Sequence, residues 1–129
     1  MGAWGHKSFE IDDALDFVWQ FEESGMSAIE SAFKLAINPP DDYLEAPEAS
    51  AALAAAEFVA AKKTGQTDRL VHDHVDLIEK IDASPKLIGD SKNAVSRVLQ
   101  NSELRELWEE SDELNIWHDD VLVLLERLK

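Results

Sequence analysis

Cysteine is absent from this 129-residue chain, which removes thiol nucleophiles, redox switching, thiolate zinc sites and disulfide scaffolds together. Basic residues are scarce: 12 Lys and Arg stand against 27 Asp and Glu, a formal charge of −15. At a sequence pI near 4.4, neither a nucleic-acid backbone nor an anionic membrane surface is an expected partner, because phosphates are repelled. Long apolar runs are missing too. No window approaches the roughly 18 uninterrupted apolar residues of a membrane span, and the stretch from Ala46 to Ala61 is broken by Glu48, Ser50 and Glu57. The opening residues carry no charged leader before an apolar run, and His6 stands where a myristoylation signal wants Ser or Thr. A cytoplasmic location is the default expectation.

What is present suits one folded domain. Hydrophobic residues make up 45% of the chain, which argues against disorder despite the charge. A chain of this length buries roughly two-thirds of its unfolded surface and needs no disulfide or structural metal.

Helical spacing recurs throughout. Asp12 and Asp13 are candidate caps for a first helix running to about Ser24, with Ala14, Phe17, Val18 and Phe21 on one face. Gly25 stops it. Ser27 and Glu30 have the spacing of a capping box for a second helix, which ends at Asn38-Pro39-Pro40. Pro47 fits the first turn of a third helix and Gly65 its end. Its many alanines let neighbours approach closely, which predicts a central position. A fourth helix is expected from Thr67 or Asp68, with Val71, Val75 and Ile78 on one edge of its apolar arc and Leu70, Leu77 and Ile81 on the other. Ser84-Pro85 opens a fifth, Asn101-Ser102 breaks it, and Leu104, Leu107 and Trp108 continue the pattern. The last helix carries Leu114, Trp117, Val121, Leu124 and Leu128 in steps of three and four. The expected fold is an all-α, single-domain bundle of six or seven helices spanning residues 1–129.

Candidate sites are few. His72 and His74, two positions apart on a helix, point to opposite sides and cannot share an ion. Asp68, His72 and Asp76, at steps of four, would line one helix edge and hold a cation weakly. They also read simply as a solvated face. His74 falls within the apolar arc and Glu22 among the apolar residues of the first helix. Together they would make an acid–base pair in a pocket, while separately they read as a core histidine and a carboxylate bent out to water.

The segment from Glu103 to Asp120 holds Glu103, Glu106, Glu109, Glu110, Asp112, Glu113, Asp119 and Asp120 against Arg105 alone. It reads as a soluble helix surface or as a docking patch for a basic partner. Trp4, Trp19, Trp108 and Trp117 each fit core positions. Trp4 is expected to act as a plug in the opening segment and Phe9 as part of a hydrophobic staple. Nucleophilic triads, glycine-rich phosphate loops and cofactor motifs are missing, so no cofactor and no catalytic residue is expected.

Three blocks stand in order along the chain: Met1-Gly2-Ala3-Trp4-Gly5 with Phe9-Glu10 and Asp12-Asp13-Ala14; Asp42-Tyr43-Leu44-Glu45-Ala46-Pro47-Glu48-Ala49 followed by alanines and Glu57; and Asn101-Ser102-Glu103-Leu104-Arg105-Glu106-Leu107-Trp108-Glu109-Glu110-Ser111. In these the chain resembles the bacterial proteins grouped as domain of unknown function 4259. The resemblance implies a small bacterial protein and brings no catalytic or binding residue with it. It suggests that the opening block, the tyrosine loop and the acidic block belong together, with Asp12, Asp13, Tyr43 and Glu45 exposed.

The leading functional expectation is a non-enzymatic interaction protein, in its specific form an immunity-type inhibitor that covers a basic surface on a toxin or nuclease. The alternative is a small-ligand protein or enzyme with a pocket around His74 and Glu22.

Overall fold

Gly25 turns the chain with a left-handed φ of 65° between two helices, and the computed structural model is built from such punctuated helices throughout. It describes residues 12–67, 70 and 72–129, with the side chains of 12–15 and 72–74 outside that description. Six α-helices follow in order: α1 (Asp12–Ser24), α2 (Met26–Ile37), α3 (Ala46–Thr64), α4 (Pro85–Gln100), α5 (Glu103–Glu109) and α6 (Leu114–Leu128). Two 3-10 segments, Pro40–Asp42 and His72–Lys80, interrupt the connections, and no strand occurs among the described residues. The architecture is all-α. None of the described helices is long and apolar enough to cross a membrane.

The alanine-rich helix sits at the centre. α3 touches α1, α2, α4, α5, α6 and the longer 3-10 segment. Residues 52–61 are buried without a gap, nearly three turns covered on every side. Side chains as small as Ala54, Ala55 and Ala56 permit that close enclosure. The larger groups Leu53, Phe58 and Val59 fill the gaps between neighbours, and Phe58 packs on Phe21 of α1 with ring centroids 5.1 Å apart. Gly65 closes α3 in the left-handed conformation at φ 75°, donating its N–H to the Ala61 carbonyl at 2.8 Å.

Several boundaries follow the sequence closely. Ser84 caps α4 by accepting from the Leu87 N–H at 3.2 Å, and Pro85 takes the first turn. Ser102 serves both sides of the break. Its hydroxyl donates to the Val98 carbonyl at 2.7 Å and accepts from the Arg105 N–H at 3.1 Å. On α6, Trp117, Val121, Leu124 and Leu128 are buried and Leu114 partly so, as the seam requires.

Three expectations need correction. The Ser27–Glu30 capping box does not form: α2 begins two residues earlier than that box requires, at Met26 with Gly25 in the cap position, and Ser27 donates back to the Ser24 carbonyl at 3.1 Å. The tight Gly25 turn already fixes the helix start, so the serine is left facing the preceding turn. The expected fourth α-helix is a 3-10 segment over His72–Lys80. Val75 and Ile78 within it and Ile81 just after it recur every third position, a spacing that a 3-10 helix stacks on one line. Trp19, read as a core residue, is 72% exposed on the outer face of α1. Trp4, Phe9 and the other residues of 1–11 lie outside the described residues, as do the side chains of the candidate caps Asp12 and Asp13.

Candidate functional site

The loop joining α2 to α3 has two prolines and two aspartates in succession, and it is unusual in its backbone. Asp41 and Asp42 both adopt left-handed φ, 57° and 55°. Aspartate tolerates this conformation better than most residues, yet two in a row persist only when their surroundings hold them. Arg97 of α4 supplies one hold. Its Nη2 donates to the Asp42 carbonyl at 3.1 Å, while Nη1 reaches the exposed Asp42 carboxylate at 3.5 Å. Leu44, buried in the core, is the second anchor.

The acidic block supplies the rest. Helix α3 has Glu45 at its cap position with no side-chain hydrogen bond, and Pro47 has no N–H to satisfy. The Ala46 N–H is met instead by the Glu103 carboxylate at 2.8 Å, across 57 positions of sequence. In return the Glu103 N–H donates to the Leu44 carbonyl at 2.8 Å. A negative group at this helix start also complements the positive end of the α3 dipole. One turn further along α5, the Tyr43 hydroxyl donates to Glu106 Oε2 at 2.7 Å. The bond to Glu106 is the main cause that pushes the Tyr43 phenol up to about 12. Partial burial and the field of Glu106, Glu103 and Glu45 act in the same direction.

The eight carboxylates of the acidic segment therefore play different parts. Glu103 is turned inward as a cap, and Glu106 holds the loop. Glu109 pairs with Arg105 at 2.9 Å, while that arginine also donates to the Leu99 carbonyl at 2.7 Å. Asp120 is partly buried and already engaged. Glu110, Asp112, Glu113 and Asp119 face solvent. Beside them α6 presents aliphatic groups to water: Ile116 is 50% and Val123 49% exposed, with Leu122 further round the helix. Behind this surface, Trp108 and Trp117 stack with centroids 6.4 Å apart and planes 12° from parallel. Both are buried, so the acidic corner is mounted on a packed aromatic pair.

The other sequence candidates belong to α1 and to the segment around the longer 3-10 helix. Glu22 is exposed in the last turn of α1, and its backbone carbonyl accepts from Lys80 Nζ at 3.2 Å. This contact brings the end of the 3-10 segment to α1. The side chain of His74 lies outside the described residues, as do Asp68 and the side chain of His72. Asp76 is exposed, and no group of three metal-ligating side chains occurs among the described residues.

Two residues had no role assigned from the sequence. Glu57 is only 3% exposed in the middle of α3, where it has an interaction of its own. The signal was a single carboxylate in an otherwise apolar run of a helix expected to be central. Arg97 was not singled out, because nothing local announces that it reaches a loop 55 positions earlier.

A family model described as "Domain of unknown function (DUF4259)" matches residues 2–120. No curated protein and no solved structure matches the chain.

Proposed function

Since the chain belongs to that family of unknown function across nearly its whole length, we propose, from its surface, that it is a non-enzymatic interaction module for a basic protein. The observation carrying this reading is the solvent-facing group Glu110, Asp112, Glu113 and Asp119 beside the exposed Ile116 and Val123. Clustered carboxylates speed the approach of a positive surface, and aliphatic groups within them add desolvation energy on contact. A second copy would bring the same sign of charge to this face, so a different, basic chain suits it better. The specific form we favour is an immunity-type inhibitor that covers a basic surface on a toxin or nuclease.

Affinity capture at low salt followed by a salt titration tests the reading. The expected result is a basic partner whose binding weakens as salt rises and is lost when Glu110→Lys, Asp112→Lys and Glu113→Lys are combined. A partner that is not basic, or binding indifferent to salt and to these substitutions, overturns it. A toxin gene beside this one would favour the inhibitor form, and a metabolic operon would favour the pocket reading around His74 and Glu22.

A further inference from the structure

The seam that buries one side of α6 leaves the opposite side in water, and that side has a repeat of its own. Ile116, Asp119, Val123 and Glu126 follow one another at steps of three, four and three, and all four are exposed. Asp119 and Glu126 stand seven positions apart, as do Ile116 and Val123. Aliphatic and acidic groups therefore alternate along one stripe with a period near 3.5 residues. Leu122, 40% exposed, widens the apolar part. Large hydrophobic groups scattered singly over a surface mean little, but three together on one helix face mark a contact surface. Glu126 pairs with Lys129 at 3.4 Å, yet both side chains stay mostly exposed. Such a surface pair yields readily to a partner's charge.

The spacing decides what shape of partner fits. Seven helical residues advance about 10.5 Å, so positive groups must arrive at that interval with apolar groups between them. A second helix meets this with residues seven apart. A strand does not, because side chains on one of its faces recur about every 6.7 Å, and neither one such step nor two gives the required interval. A second copy of this chain would set carboxylate against carboxylate along the stripe.

Resting on the reading that this corner receives a basic protein, we propose that the partner's contacting element is an amphipathic α-helix laid along α6. Its Lys or Arg residues, repeating every seven positions, meet Asp119 and Glu126, and the apolar residues between them cover Ile116 and Val123.

The probe is a blocked peptide of three Leu-Ala-Gln-Arg-Ala-Gln-Ala repeats, titrated into the full chain and followed by amide NMR shifts. The control has the same composition, with Leu and Arg moved so that neither recurs at seven. Saturable shifts are expected at Ile116, Asp119, Val123 and Glu126 with the repeat peptide. The control peptide should bind at least about tenfold more weakly, and so should the repeat peptide to the combined Ile116→Ser and Val123→Ser variant, which keeps every charge. Equal binding of the two peptides, weakening with salt, overturns the helical partner while leaving the basic-partner reading standing. Absence of saturable shifts, or undiminished binding by the Ile116→Ser and Val123→Ser variant, overturns the proposal too. Binding of the repeat peptide that is indifferent to salt overturns the basic-partner reading and this proposal with it.

Discussion

Glu103 caps a helix that is not its own: its carboxylate accepts from the Ala46 N–H at 2.8 Å, while its own N–H donates to Leu44. This reciprocal pair joins the tyrosine loop to the acidic block and sets where α5 lies against the start of α3. Removing the carboxylate leaves the Ala46 donor without its partner. Glu103→Ala is expected to lower the free energy of unfolding by about 1–2 kcal/mol, and Glu103→Gln, which keeps an acceptor, by less. Urea denaturation at neutral pH measures both.

The Tyr43–Glu106 bond gives a spectroscopic handle, because Tyr43 is the only tyrosine of the chain. Its phenol, raised from 10.0 to about 12, should show tyrosinate absorbance well above pH 10. Glu106→Gln should bring the midpoint back towards the ordinary value. The sign for stability follows from a folded value above the unfolded one. The contribution is complete below pH 10 and is lost as pH rises towards 12. A midpoint near 10 in the unsubstituted protein contradicts the bond.

Arg97 and Asp42 form an unequal pair. The arginine side chain is 20% exposed and grips a backbone carbonyl, whereas the aspartate carboxylate is 91% exposed and 3.5 Å away. Arg97→Ala should therefore cost about 1.5–3 kcal/mol, the range for a hydrogen bond to a charged group. Asp42→Asn should change stability by less than about 0.5 kcal/mol. Chemical denaturation of the two variants separates the carbonyl contact from the ion pair.

Two tryptophans mark the contrast between core and surface. Trp117 is fully buried against Trp108, so Trp117→Ala should cost about 3–5 kcal/mol. Trp19→Ala should alter stability by less than about 0.5 kcal/mol, since its side chain is exposed. Thermal unfolding distinguishes them.

The helices were readable where a local rule acts alone. The proline and glycine ends of α3, the serine cap of α4, the break at Asn101-Ser102 and the seam of α6 each depend on residues a few positions apart. Reading failed where local rules compete. The capping-box spacing of Ser27 and Glu30 was overridden by the turn at Gly25. The apolar arc ending at Ile81 fits a period of three as well as one of 3.6, and the 3-10 form is the one adopted. Trp19 was misplaced because it widened the apolar face of α1 beyond what α2 and α3 cover. At the candidate site, the charge cluster was visible but its division of labour was not. That Glu103 turns inward and Glu106 holds Tyr43 depends on contacts across 57 and 63 positions, which no local pattern carries.

The central claim is that Glu110, Asp112, Glu113 and Asp119 form the docking surface for a basic partner. The most direct test is the partner's Kd as a function of salt for the unsubstituted protein and for the combined Glu110→Lys, Asp112→Lys and Glu113→Lys variant. Steep weakening with salt is predicted for the former, with at least about tenfold weaker binding and a flatter salt slope for the latter. Equal affinities and equal slopes for the two proteins would contradict the account.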